Sequence, residues 1–285
     1  MKTWRIGVIG LGQRIAHVLA AMAEMGWRLD VAGYADLAPV GLPILEQTGI
    51  EAGEAFESVA DLLADGPFDL IMIGSPNHLH FEHLRAAFAA GFPIFAEKPI
   101  VRTREETVTL ARILAEGRAP PLFIGLVMRS MPIVREVLAR VDAGELGDII
   151  SMDATEHLHP EHGAYLARNW RRRAEWGGSF MLDKVCHDFD IFGRIAGSRA
   201  RRVASFGGRR STCSSQLPHP SGLARPRLSC VIARNCSSKH WETLASRATS
   251  SRSARVPLSP CSNSSLRAAP NPRASLDLQT TLPAP

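Results

Sequence analysis

Residues 5–16 read Arg5-Ile6-Gly7-Val8-Ile9-Gly10-Leu11-Gly12-Gln13-Arg14-Ile15-Ala16, and this stretch decides the fold. The run 5–9 is a short buried strand, Gly10-Leu11-Gly12 is a turn, and apolar residues then recur at helical spacing over 15–25 and stop near Gly26. A strand that passes through glycines into a helix leaves free N–H groups at the helix start. The helix dipole adds to them, so the turn attracts an anion. Gly10 permits the tight turn, and Gly12 lets a diphosphate approach the backbone. Gln13, Arg14 and Ile15 follow directly after Gly12. The third glycine of the usual fingerprint is replaced by Ile15, with Ala16 one later, which predicts a loop longer by one residue.

The pattern repeats outward from this unit. Strands are expected at 29–34, 69–73 and 93–96, and helical pieces at 44–48, 58–64, 81–90 and 103–116. The run 69–73 is apolar throughout, as a strand covered on both faces requires. Gly91 closes one helix, and Thr103 with Glu106 forms a capping box for another. Strands alternating with helices at this spacing imply βαβ units and a doubly wound parallel sheet. Asp36 ends the second strand, 24 residues past Gly12. A carboxylate there can accept hydrogen bonds from the ribose hydroxyls of an adenine dinucleotide and would repel a 2′-phosphate. No Lys or Arg lies between Leu37 and Leu84 to offset that repulsion, although Arg14 could reach from the turn. NAD is therefore expected over NADP.

From residue 122 the pattern changes to a strand at 122–128, a helix at 132–141, a strand at 148–156, a helix at 178–195 and a strand at 201–206. This is the start of a second, α+β unit. After Gly208 it collapses. Eleven of the 33 basic residues but only two of the 28 acids (Glu242 and Asp277) fall in 209–285, so residues 1–208 carry 22 basic and 26 acidic residues. The patterned part is slightly acidic, which argues against nucleic-acid binding. The basic end has no aromatic or helical organisation that would recommend nucleic acid or a membrane as its partner. Four of the five cysteines lie in it (Cys213, Cys230, Cys236 and Cys261), at spacings that fit neither a zinc site nor a disulfide framework. A reduced, cytoplasmic protein is expected, with no signal peptide and no membrane span.

Three further segments carry polar chemistry. Ser75-Pro76-Asn77-His78-Leu79-His80 follows the apolar strand, and Glu97-Lys98-Pro99 follows the next. The third is Gly177-Gly178-Ser179-Phe180-Met181-Leu182-Asp183-Lys184-Val185-Cys186-His187-Asp188-Phe189-Asp190. Loops at the carboxyl edge of a parallel sheet line its ligand crevice. Asp183 and His187 stand four apart on an expected helix and so share a face. His80 either faces the cofactor or covers the following helix. The histidines His157, His159 and His162 have no fixed carboxylate or thiol partner, so no metal site is expected. Arg171, Arg172 and Arg173 suit either an acidic substrate or water.

In order and spacing, these segments with Gly10, Gly12 and Asp36 resemble the glucose-fructose oxidoreductase, inositol dehydrogenase and rhizopine catabolism family, Gfo/Idh/MocA. The resemblance covers residues 1 to about 208. It implies a Rossmann domain at 1–121, a partial substrate domain at 122–208, and an NAD(P)-dependent oxidoreductase acting on a hydroxyl of a sugar, inositol or related polyol. It places Gly10, Gly12, Gln13, Arg14, Ile15, Asp36, Ser75, Pro76, Asn77, His80, Glu97 and Lys98 around the cofactor. Lys98 then lies near the nicotinamide and the substrate hydroxyl, where its charge favours the developing alkoxide. His187 becomes the base for the hydroxyl proton, and Asp183 binds substrate or orients the imidazole. Lys184-Val185-Cys186-His187 is close to the Lys-Cys-Cys-His of one branch, with Cys186 a packed thiol and Lys184 either a second cation in the site or turned away. Phe189 and Asp190 read as helix packing and capping. The family is oligomeric, and a broad sheet in its second domain completes the substrate cleft and dimer face. Only about three strands of that sheet precede Gly208, so a dinucleotide-binding protein without turnover is the alternative.

Residues 209–285 fit either a low-order Ser/Pro/Arg-rich tail or a shifted reading frame. A shifted frame predicts a strand-rich continuation in one of the other two frames beyond codon 208. Reading the coding DNA checks this, and its absence from both frames leaves the tail.

Overall fold

A computed structural model describes residues 2–156, 169–204 and 228–233. Its first part alternates strands and helices: β1 (Thr3–Ile9), α1 (Gln13–Glu24), β2 (Arg28–Ala35), α2 (Leu42–Gln47), β3 (Glu54–Ala55), α3 (Val59–Ala64), β4 (Leu70–Ile73), α4 (His80–Ala90), β5 (Ile94–Ala96), α5 (Arg104–Ala115) and β6 (Leu122–Ile124). The strands pair in parallel in the order β3-β2-β1-β4-β5-β6. The order reverses at β1 and β4, so a crevice opens at their carboxyl ends.

β4 is apolar and buried along its whole length, and β1 is buried over Ile6–Ile9, because helices cover both faces. Ile6 and Val8 of β1 pack with Leu70 and Met72 of β4 and with Ile15, Ala16 and Leu19 of α1. Ile9, Ile71 and Ile73 face the other way, onto Leu84 and Ala87 of α4 and Leu110 of α5. The expected helix signals are present. Thr103 Oγ1 accepts from Glu106 N at 3.1 Å, and Glu106 Oε2 accepts from Thr103 N at 3.1 Å. Gly91 ends α4 in the left-handed conformation.

Several expectations change. The strand anticipated at 122–128 stops at Ile124 and joins the parallel sheet, so the first unit gains a strand beyond residue 121. The two-residue β3 carried no periodic signal. Helix α6 (Pro132–Asp142) and strand β7 (Ser151–Glu156) follow as anticipated, the strand starting three residues later. The single helix over 178–195 is broken into α8 (Ser179–Asp183) and α9 (Cys186–Ala196), preceded by a short α7 (Ala174–Gly177). Residues 201–204 are not a strand, and Val203 is exposed. Residues 205 and 206 and the three histidines lie outside the described residues. Leu228–Ala233 forms β8, antiparallel to β7, in a stretch where no element was expected. Among the described residues no helix is long and apolar enough to cross a membrane.

Gly10 has neither the backbone conformation nor the room for a side chain. Its φ is +84°, and a Cβ there would fall 2.3 Å from Ser75 N and 2.5 Å from Ser75 Cα. Gly10→Ala is expected to destabilise the protein by at least about 2 kcal/mol, read as a lower urea midpoint with an unchanged slope.

Candidate active site

The diphosphate turn is built by contacts on one side and space on the other. Gly10 N donates to Ala35 O at 2.9 Å, and Gly10 lies hard against the loop after β4. Gly12 caps α1 without a side chain. A Cβ on Gly12 would meet only Gly74 O, at 3.7 Å. No protein atom therefore requires glycine at 12, and its lack of a side chain keeps the helix N-terminus open to a ligand. Helix α1 begins at Gln13, so the extra loop residue expected from Ile15 is absent. Ile15 is fully buried, and a Cβ on Gly74 would fall 2.2 Å from Ile15 Cγ1. The close helix–strand approach usually made by a third turn glycine is made here by Gly74 of the opposite loop. Ile15 can offer a ligand only its backbone, while Gln13 and Arg14 are exposed.

Asp36 follows β2 and is half-buried. Its Oδ1 accepts from Ala38 N at 2.8 Å, which holds the carboxylate at the strand end and leaves Oδ2 for a ligand. Arg14 lies close enough for its charge to act on Glu97 and His187.

Three loops meet at Asp183. Lys98 Nζ donates to Asp183 O at 2.6 Å and lies 3.6 Å from Asp183 Oδ1. Asn77 Nδ2 donates to Asp183 Oδ1 at 3.2 Å and to Gly177 O at 3.0 Å. Lys98 pairs with Asp183 rather than with its neighbour Glu97. Glu97 turns inward, accepting from Lys98 N at 3.3 Å through Oε2, while its buried Oε1 has no partner. Burial raises the Glu97 pKa, opposed chiefly by Arg14.

His187 sits one residue into α9, buried, and its Nδ1 has no partner. Burial, then the charges of Lys98 and Lys184, push its pKa down to about 4. It is thus neutral well below the range expected for an ordinary histidine. The Asp183 carboxylate is held by Lys98 and Asn77. Lys184 is buried and acts on His187 by its charge. Cys186 Sγ lies 3.6 Å from Asp183 O, and burial raises its pKa, consistent with a packed thiol.

His80 does not reach a cofactor. It is 1% exposed, and both ring nitrogens face backbone carbonyls, Ser75 O at 2.6 Å and Pro99 O at 2.8 Å. Ser75 Oγ lies 2.9 Å from His83 Nδ1, a contact not anticipated although His83 follows His80 by three on α4. The 3-10 turn Asn77–Leu79 stacks His78 on Trp176, with ring centroids 4.9 Å apart. Asp190 is bound in bidentate fashion by Arg129 rather than capping its helix. Arg129 and Asp190 lie 61 positions apart, so no local signal could have paired them. Arg171 and Arg173 lie over the rings of Trp170 and Trp176.

Residues 4–123 match the NAD-binding Rossmann fold of the Gfo/Idh/MocA oxidoreductases, and residues 134–219 match the Gfo/Idh/MocA C-terminal domain. The chain belongs to the Gfo/Idh/MocA family. An inositol 2-dehydrogenase of Corynebacterium glutamicum is 25% identical over 236 residues, covering 82% of this chain and 65% of its own length. The rhizopine catabolism protein MocA of Rhizobium meliloti is 28% identical over 192 residues, covering 67% and 56%. Among solved structures, scyllo-inositol dehydrogenase of Lactobacillus casei matches with a TM-score of 0.60 and 25% identity, covering 74% of this chain and 60% of that one. A further structure of that enzyme, 24% identical with a TM-score of 0.60, holds NAD(H) and scyllo-inositol. The Gfo/Idh/MocA chain described here thus spans less than two thirds of the length of each of these relatives.

Two outcomes follow from the site. Gly12→Ala is expected to leave stability within about 0.5 kcal/mol while lowering NADH affinity at least tenfold, measured by urea unfolding and fluorescence titration. His187 takes a proton near 6.5 when unfolded but only near 4 when folded. Between these values the unfolded chain binds more protons, so stability rises with pH across that window and its full contribution is present above 6.5. Burial lowers His78 and His83 in the same direction. His187→Asn should flatten part of this slope in unfolding curves taken from pH 4 to 7.

Proposed function

We propose that this chain is an NAD(H)-dependent dehydrogenase that moves a hydride between the nicotinamide and a CH–OH group of a polyol or sugar. One observation carries the reading. The Lys98 ammonium is anchored on Asp183 in the same site as a neutral, buried His187 with a bare Nδ1, at the carboxyl end of a sheet that bears the diphosphate turn. The inositol dehydrogenases among its relatives support the substrate class.

His187 accepts the proton of the substrate hydroxyl. Burial and the neighbouring ammonium groups keep its lone pair free through neutral pH, and they also make it a weak base. Transfer therefore depends on lowering the energy of the alkoxide, which the Lys98 charge does in a site partly closed to water. The C–H electron pair leaves as hydride, and a carbonyl forms. The nicotinamide, when bound, supplies the hydride acceptor. Asp183 holds Lys98 in place and presents a carboxylate edge to the substrate. Asp36 favours NAD over NADP because its free oxygen suits ribose hydroxyls and repels a 2′-phosphate.

His187→Ala and Lys98→Ala should each lower kcat by about 10²- to 10⁴-fold while leaving the NADH dissociation constant within threefold, measured with a panel of cyclitols and sugars. Unchanged turnover removes either residue from the reaction. NADH binding with no oxidation of any polyol in the panel leaves a dinucleotide-binding protein. NADH should bind more tightly than NADPH, and Asp36→Ala should narrow that preference. Tighter NADPH binding by the unaltered protein reverses the cofactor assignment.

A further inference from the structure

His80, at the head of α4, has a carbonyl oxygen at each ring nitrogen. Nε2 lies 2.6 Å from Ser75 O and Nδ1 lies 2.8 Å from Pro99 O. A ring turned over would place carbon atoms at these distances, far inside van der Waals contact, so the nitrogens face the carbonyls. Carbonyl oxygens only accept, and a neutral imidazole has one N–H. A neutral ring would therefore satisfy one oxygen and set a bare lone pair against the other in a site closed to water. The two acceptors belong to different loops. Ser75 is also held through its hydroxyl by His83, and its backbone lies where a Cβ on Gly10 would strike. Pro99 follows Lys98 directly.

We propose that His80 is a positioning residue that donates from both ring nitrogens, tying the loop that abuts the diphosphate turn to the loop that carries Lys98. One buried ring then sets the spacing between that turn and the Lys98 ammonium. Apart from this ring, the two loops are joined through β4 and β5 and, farther out, through Asp183, which Asn77 and Lys98 both hold. On balance the His80 pKa is lowered, by burial first and also by the Lys98 charge, against the two carbonyls and Asp183, which raise it. Burial lowers His78 and His83, which lie near this end of α4, as well. Desolvation penalises a charge without partners. Both N–H groups of this ring have partners, and charge-assisted hydrogen bonds are about twice as strong as neutral ones. The consequence for turnover rests on the role given to Lys98 above, whereas the state of the ring does not.

The test uses the full chain labelled with 15N-histidine, with the His80 signals assigned by comparison with His80→Gln. At pH 7 both ring nitrogens of His80 should carry protons, and a single bare nitrogen overturns the proposal. Acetylation of the four lysines (Lys2, Lys98, Lys184 and Lys239), followed by mass spectrometry, gives a second readout. His80→Leu should speed acetylation of Lys98 at least threefold and leave the buried Lys184 unchanged. His80→Gln, which retains N–H donors, should fall between. Equal acceleration at Lys98 and Lys184 indicates general loosening and overturns the positioning role. If His80→Leu does not fold, the spectrum of the unaltered protein still decides. Neither measurement needs cofactor, so a failure to bind NADH would count against the proposed function and not against His80.

Discussion

The contact between the Lys98 ammonium and Asp183 is the interaction on which the rest of the site depends. It joins the loop after β5 to the break between α8 and α9, 85 positions later in the chain. Asn77, from the loop after β4, completes the junction from the other side. The same part of the chain also meets the loop after β4 where Asn77 reaches Gly177 O and His78 stacks on Trp176. At this junction an ammonium, a carboxylate and an imidazole share a small volume closed to most water.

That closeness determines the electrostatics. A half-buried ammonium is tolerable because it donates to a carbonyl and lies beside a carboxylate. Burial first, and then this ammonium with Lys184, hold His187 uncharged, so the ring is available as an acceptor and reluctant to become a cation. Glu97 pairs with neither ammonium, and burial raises its pKa. Such a cluster of cations favours an anion beside it, which is what an alcohol oxygen becomes as it gives up its proton before the hydride leaves carbon.

Strands, helices and turn glycines were legible because each leaves a local pattern. The all-apolar run of β4, the Thr103–Glu106 box and the Gly10 turn could be placed within a few residues. What failed did so for physical reasons. β3 is two residues long, too short for any period. The expected helix over 178–195 has apolar spacing throughout, yet the chain turns at residues 184–185, where Asp183 is held by two distant loops. The missing third glycine pointed to a longer loop, whereas its packing role had passed to Gly74 in the loop after β4.

The sequence by itself determined that a parallel sheet forms, that a glycine turn opens α1, and which residue types stand at the ends of β2, β4 and β5. Periodicity, capping and backbone freedom act over a few neighbours, so one sequence is enough to read them. The tertiary structure alone decided which partner each polar group took. Asp183 holds Lys98, Asp190 pairs with Arg129, and His80 grips two carbonyls and not a ligand. Those choices are made by groups far apart in the chain that are brought together when water is excluded, and a buried polar atom must take whatever donor or acceptor the packing places beside it.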